Sequence, residues 1–327
     1  MTASTFLVTG ASGFLGSHIV SLLCAHGLRV VALIRRDAQR ADLERLGATC
    51  RIGSLDDPAA IALALDGCDG VIHCAGGGEV TSFSEYFEKN TETTRRLIQA
   101  IDLACAPIQR FVLISSLSAH GPSPDGLPRP EDAPPSPVST YGRSKLAAER
   151  LLLARQHDWP VSILRPPAIY GPGDRRWLPL FRASARGVIP LLAGHRSASI
   201  VSGDDCARAV LHLVTHDHPS GWTGCVEDGQ PLLWTAIAAA IAQATGTSPR
   251  ILPVPAALLG AASQLNQWRA ALSRRPTPFN SDKFQDMRQP HWVCRAQRLR
   301  DLGWQPSLSF PDGARLTAQW YRERGWM

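Results

Sequence analysis

Residues 10–16 read Gly-Ala-Ser-Gly-Phe-Leu-Gly and follow directly on the apolar run Thr5–Thr9. No other segment restricts the fold so strongly. The first glycine permits a tight turn, the second lets backbone approach a pyrophosphate, and the third removes a side chain where helix meets strand. The helical apolar pattern that starts at Phe14 then offers unpaired N–H groups and a positive dipole end to an anion. Gly10, Ser12, Gly13, Phe14, Leu15 and Gly16 are therefore the candidate cradle for the phosphates of a dinucleotide.

Further apolar runs at Val30–Ile34, Val71–Cys74, Phe111–Ser115 and Val161–Arg165 read as strands, with helical stretches at 41–46, 58–66, 91–105 and 141–157. Strands alternating with helices predict an α/β fold, a doubly wound parallel sheet covered on both faces. Residues 120–139, rich in Pro, Gly, Ser and Asp, read as loop. Beyond about residue 172 the alternation fades into helical pieces near 177–187, 204–216, 231–245 and 312–324. We read 1–172 as the dinucleotide-binding domain with the reactive residues. Residues 173–327 read as a smaller, discontinuous substrate domain, parts of which return to the sheet. Residues 253–272 are apolar with little charge, and 273–290 are basic and polar. They read as a mobile cap, with a peripheral membrane contact left open.

Composition removes several function classes. Hydrophobic residues at 44% and charged residues at 19% are ordinary for a globular enzyme. The net charge of +6 is scattered in pairs such as Arg95–Arg96 and Arg175–Arg176, without a basic stripe interleaved with aromatics. Nucleic acid is not the expected partner, and an anionic cofactor explains part of the excess. Eight cysteines form no C-x-x-C pair, which fits free thiols in a reducing cytoplasm. No basic segment precedes the first strand and no run of about eighteen apolar residues occurs, so neither a signal peptide nor a spanning helix is expected. His212 and His216 stand four apart without a supporting carboxylate, and read as surface helix rather than metal ligands.

The second strand ends at Ile34, followed by Arg35 and Arg36. An NAD site usually places an acidic residue there for the ribose hydroxyls, whereas a guanidinium can fork onto a 2′-phosphate. NADP(H) is the favoured cofactor, with NAD(H) as the other possibility. Tyr141-Gly-Arg-Ser-Lys145 gives Y-x-x-x-K at the start of a helix, one turn apart on one face. A phenol is a poor acid or base at neutral pH, and an ammonium beside it favours the ionised form. Ser115 and Ser116 end an apolar strand, where α/β sheets place ligands.

With these segments the chain resembles the extended short-chain dehydrogenase/reductases, the family that also holds nucleotide-sugar epimerases and dehydratases. Its motifs are closest to the 3β-hydroxysteroid dehydrogenase and dihydroflavonol reductase branches. Supporting stretches are His73–Gly76, Asn90–Thr94, Phe111–Gly121, Leu164–Gly173 and Ile200–Asp205. The resemblance implies Ser116 as the catalytic hydroxyl, Tyr141 as the acid/base and Lys145 as its tuner and ribose anchor. It implies Ala75, Gly76, Asn90, Pro166, Ala168 and Ile169 along the cofactor, and a homodimer built on the helices at 91–105 and from Tyr141.

The chain departs from the family pattern in three places. Gly53-Ser54-Leu55 carries Ser54 where relatives place an adenine-binding Asp; Asp56 or Asp57 would compensate, or cap the helix at Pro58. Leu117-Ser118 replaces the Asp-Glu of sugar dehydratases, and Ala168 replaces an Asn that lies near nucleotide diphosphates in relatives. These absences favour an NADP(H)-dependent reductase or dehydrogenase of an apolar small molecule. Trp177, Leu178, Leu258, Leu259, Leu265, Trp268, Met287 and Trp292 are offered as its pocket. A nucleotide-sugar epimerase and a non-catalytic NADP(H)-binding protein are the alternatives.

Overall fold

A computed structural model describes residues 4–77, 80–277 and 279–327. Strands β1 (Thr5–Thr9), β2 (Arg29–Ile34), β3 (Thr49–Ile52), β4 (Gly70–His73), β5 (Arg110–Ile114) and β6 (Val161–Arg165) form a sheet with the Trp222–Cys225 strand. The order is β3-β2-β1-β4-β5-β6 with Trp222–Cys225 at the far edge, and every pairing is parallel. All seven strands therefore end on one side of the sheet. The order reverses between β1 and β4, which opens a crevice at their carboxyl ends.

The central strands are buried on both faces, and they read as continuous apolar runs for that reason. The Phe14–Ala25 and Gly203–Thr215 helices cover one face with Leu15, Ile19, Leu23, Cys206 and Val210. The Pro58–Leu65, Thr93–Leu103 and Thr140–Leu153 helices cover the other with Ile61, Leu97, Ile101 and Leu152. A third core lies outside the sheet, where Trp177, Phe181, Ile237, Ile241, Phe310 and Tyr321 join the Leu178–Ala185, Trp234–Thr245 and Phe310–Glu323 helices. Trp177 stacks on Trp234 in that core and donates its indole N–H to the Ile169 carbonyl.

The apolar pocket expected of the cap does not form as written. Trp177 is core, while Leu258, Leu265 and Trp268 point away from the protein on the Ala256–Ser273 helix. The composition of 253–272 marked an apolar segment, but neither its helix nor the side its apolar residues would meet was expected. A parallel pair of strands, Val188–Leu192 with Arg250–Val254, was also not expected. Pro190 and Pro253 read as breakers, yet each strand has a single neighbour, and an edge tolerates proline.

Candidate active site

The turn after β1 is built as its glycines require. Gly10 has φ +70°, and a Cβ there would lie 2.6 Å from the Ala75 nitrogen. A Cβ on Gly16 would lie 2.1 Å from the Gly10 carbonyl oxygen. Gly13 caps the Phe14–Ala25 helix without a side-chain bond, and no acidic residue occupies the first turn. Its leading N–H groups are thus open to an anion, which is the fit a dinucleotide pyrophosphate demands. Leu15 is buried in the core, so only its backbone can serve the cradle. Ser12 is exposed and accepts a bond from the Gln39 amide, 2.8 Å away.

At the end of β2, Ile34 is buried while Arg35 and Arg36 are exposed, and neither guanidinium makes an ion pair or hydrogen bond among the described residues. Arg40 nearby is held by Asp37 and Glu44. After β3, Asp57 is the helix cap, accepting from the Ala59 and Ala60 amides. Asp56 accepts from the Ser54 hydroxyl at 3.1 Å and pairs with Arg96, and Leu55 packs partly into the core.

A relay of hydrogen bonds pins the segment after β4. Thr94 gives its only hydroxyl proton to the Asn90 carbonyl (2.7 Å), so His73 Nε2 must donate to Thr94 at 3.1 Å. His73 Nδ1 then accepts from the Thr9 hydroxyl (2.6 Å), whose oxygen accepts from the Ala75 amide (3.3 Å). Burial, aided by the Lys145 ammonium, pushes the His73 imidazole down to about 3, so it stays neutral in this role.

Residues Glu88–Glu92 form a single π turn ahead of the Thr93–Leu103 helix. Asn90 and Thr91 are both buried on this turn. Asn90 accepts from the Gly77 amide (3.1 Å) and donates to the Ser144 hydroxyl (2.9 Å); Thr91 donates to the Ser144 carbonyl (2.9 Å). A Cβ on Gly76 would sit 2.6 Å from Asn90 Oδ1 and 3.1 Å from Lys145 Nζ. Gly76, Asn90 and Lys145 therefore meet at one point.

The Thr140–Leu153 helix carries Tyr141 and Lys145. Lys145 is buried and its ammonium donates to the Ile114 carbonyl at 3.0 Å. Tyr141 is half-buried, its ring edge-on to Tyr86 at 5.8 Å, and its phenol oxygen makes no hydrogen bond among the described residues. Ser139 caps the helix, accepting from the Gly142 amide at 3.0 Å. Asp282 accepts from the Thr140 and Tyr141 amides at 2.6 and 3.0 Å. This second cap comes from the Ser281–Arg288 helix and was missed in the sequence, where only the spacing Asp282–Asp286 on one helical face could have suggested it. Burial raises the Asp286 carboxyl, which accepts from the Ser118 hydroxyl at 3.3 Å.

The serine pair separates by environment. Ser115 is buried and donates to Glu149, which also takes a two-pronged bond from Arg165 at 2.9 and 2.6 Å. Ser116 lies at the mouth of the turn, its oxygen accepting only from the Ser118 amide (3.1 Å), so its own proton is free. Pro166 is buried and its carbonyl accepts from the Leu117 amide at 2.8 Å. Ala168 is exposed and Ile169 half-buried on the short strand Ala168–Tyr170 that follows.

Comparison with known proteins shows the family and the fold. The model of the NAD dependent epimerase/dehydratase family matches residues 6–222. The chain is 30% identical to the ceramide reductase of Caulobacter vibrioides over 332 aligned residues, covering 98% of this chain and 95% of that protein. It is 28% identical to the UDP-glucose 4-epimerase of Vibrio cholerae, covering 96% and 94%. Among solved structures, MoeE5 in complex with UDP-glucuronic acid and NAD superposes with a TM-score of 0.79 at 26% identity, covering 98% and 100%.

Proposed function

The chain belongs to the NAD dependent epimerase/dehydratase family and is an NAD(P)-dependent oxidoreductase, and we propose that it interconverts a ketone and an alcohol on an apolar small molecule with NADP(H). The observation that carries this reading is the pairing of a free Tyr141 hydroxyl with a buried Lys145 one turn away, beside Gly76 and Asn90. The Gly10–Gly16 turn would hold the pyrophosphate of a nicotinamide dinucleotide, whose chemistry when bound would be hydride transfer.

The chain's own residues handle the oxygen. Ser116 donates its free proton to the substrate oxygen and polarises the carbonyl. Tyr141 gives that oxygen a proton in reduction and takes it back in oxidation. Lys145 keeps positive charge beside the phenol and holds the ribose, while Asn90 fixes the helix through Ser144. Arg35 and Arg36, exposed and without an ion pair among the described residues, take the 2′-phosphate. Leu117, buried against Cys225 and Cys294, offers no proton-transfer group after the hydroxyl, and Ala168 offers no polar anchor for a diphosphate. The ceramide reductase among the relatives reduces, by its name, ceramide. A homodimer through the Thr93–Leu103 and Thr140–Leu153 helices belongs to the same proposal, and light scattering tests it.

Calorimetric titration with NADPH and NADH, after a spectrum to detect carried-over nucleotide, is the first test. Selective NADPH binding is expected, followed by turnover on a panel of hydrophobic ketones. Tyr141→Phe should cut that turnover by about 100-fold or more while cofactor affinity is kept; unchanged turnover removes Tyr141 from the reaction. The Vibrio cholerae relative supports a second reading, a nucleotide-sugar epimerase. Tightly retained NAD without net ketone reduction would put it first.

A further inference from the structure

From residue 229 to residue 281 the chain carries no Asp or Glu, and its only charges are Arg250, Arg269, Arg274 and Arg275. All four are exposed, and none makes an ion pair among the described residues. The Ala256–Ser273 helix lies in this stretch and is amphipathic the wrong way round. Leu258, Leu265, Trp268 and Leu272 are 63%, 46%, 63% and 67% exposed. With Ala261 they stand at i, i+3, i+7, i+10 and i+14, one continuous outer stripe. The inward face is small and polar: Gly260 lies against the Phe284 ring, Ser263 and Ala270 are buried, and Gln267 bonds Ser281. Ile251 and Leu252, on the strand just before, extend the apolar surface.

At the far end Arg274 leaves the helix with φ +50°, a left-handed conformation that favours glycine. The chain accepts that strain and still places Arg274 and Arg275 in solvent beside the stripe.

We propose that the Ala256–Ser273 helix is an interfacial docking surface for an anionic lipid bilayer, with Leu258, Leu265, Trp268 and Leu272 entering the headgroup boundary and the arginines contacting lipid phosphates. The occupant follows from charge. A second copy meeting this face would do so about a two-fold axis, patch against identical patch. Every charge of this stretch is positive, so such a pair brings arginine toward arginine with no acid from the stretch to separate them. An anionic surface satisfies the arginines and covers the apolar stripe together. Among the described residues no helix is long and apolar enough to cross a membrane, so the contact is peripheral. The helix packs on Ser281–Arg288, whose Asp282 caps the helix of Tyr141, so the docked face adjoins the site.

The test is flotation of the full-length protein with vesicles of phosphatidylcholine and phosphatidylglycerol in equal parts, and with phosphatidylcholine alone. Binding to the mixed vesicles that weakens with salt is expected. The triple variant Arg269→Gln, Arg274→Gln, Arg275→Gln should bind about 100-fold more weakly, roughly fivefold per arginine. Leu265→Gln with Trp268→Gln should also lose binding, and both variants should melt near the wild-type temperature because the residues are exposed. Equal binding to the two vesicle types, or no binding to either, overturns the proposal. So does a concentration-dependent dimer, found by light scattering, that the Leu265→Gln, Trp268→Gln variant abolishes.

Discussion

Replacing Glu149 by Gln removes one proton-accepting oxygen from a site that has no spare acceptor. Glu149 is fully buried and takes three bonds, one from Ser115 and two from Arg165. Among the described residues the other hydrogen-bond partner of Arg165 is His120, 3.2 Å away. Burial first, then the positive charge of Arg165, pushes the His120 imidazole down to about 4, so it remains neutral and can accept a hydrogen bond from Arg165 but cannot balance its charge. The amide introduced by Glu149→Gln would turn an N–H toward the guanidinium and leave its charge unpaired in the interior. Breaking a buried pair from one side costs about 3–5 kcal/mol. With 327 residues and an unfolding entropy of about 2.1 cal/mol/K per residue, the melting temperature should fall by roughly 4–7 °C. Differential scanning calorimetry reads this directly. The double variant Glu149→Leu, Arg165→Met removes both charges and should recover most of the loss. A Glu149→Gln protein within about 1 kcal/mol of wild type would refute the reasoning, because Arg165 would then have found another partner or enough water.

Gly16→Ala would place a Cβ 2.1 Å from a carbonyl oxygen and 2.9 Å from the Ala11 Cα, both backbone atoms that cannot swing aside. A stability loss of about 1–3 kcal/mol and a loss of dinucleotide affinity are expected together, by melting and calorimetry. Arg35→Ala with Arg36→Ala should weaken NADPH roughly ten- to hundredfold and leave NADH unchanged; equal losses for both would remove the 2′-phosphate contact. Asp228 is pushed up to about 8, by burial first and then by Glu227. Its folded-state carboxyl keeps a proton that the unfolded chain releases near pH 4, so wild-type stability falls as pH rises from about 4 through 8. Asp228→Asn removes that slope: the two proteins should melt together near pH 4, with the variant more stable at pH 8.

How far the sequence could be read depended on the range of the forces involved. The strands β1, β2 and β4–β6 were legible because strands covered on both faces are apolar throughout. The glycine turn was legible because Gly10 and Gly16 have no substitute where backbone meets backbone. Within the site, the choice of Ser116 over Ser115 came only from resemblance; that Ser115 is engaged by Glu149, 34 positions away, has no local trace in the sequence. The π turn at Asn90 was not legible because it is a single turn, which shifts an apolar pattern once and leaves no repeat to read. Asp282 was invisible for a similar reason, as its partners at 140 and 141 are brought to it by the fold alone. The cap was misread because an apolar composition over 253–272 does not say which way its side chains will face.

The Trp222–Cys225 strand pairs with β6 at the edge of the main sheet, after the chain has already contributed Leu178–Ala185 to the outer core. Trp234–Thr245 and Phe310–Glu323 then leave for that core again. The two halves are braided rather than joined end to end. An engineer seeking to graft one relative's specificity onto another therefore has no single crossover site. A cut near residue 172 would strip β6 of its neighbour and expose its hydrogen-bonding edge, inviting self-association. Recombination within this family should succeed as whole-chain drift or as several matched exchanges, and fail as simple swapping of front and back.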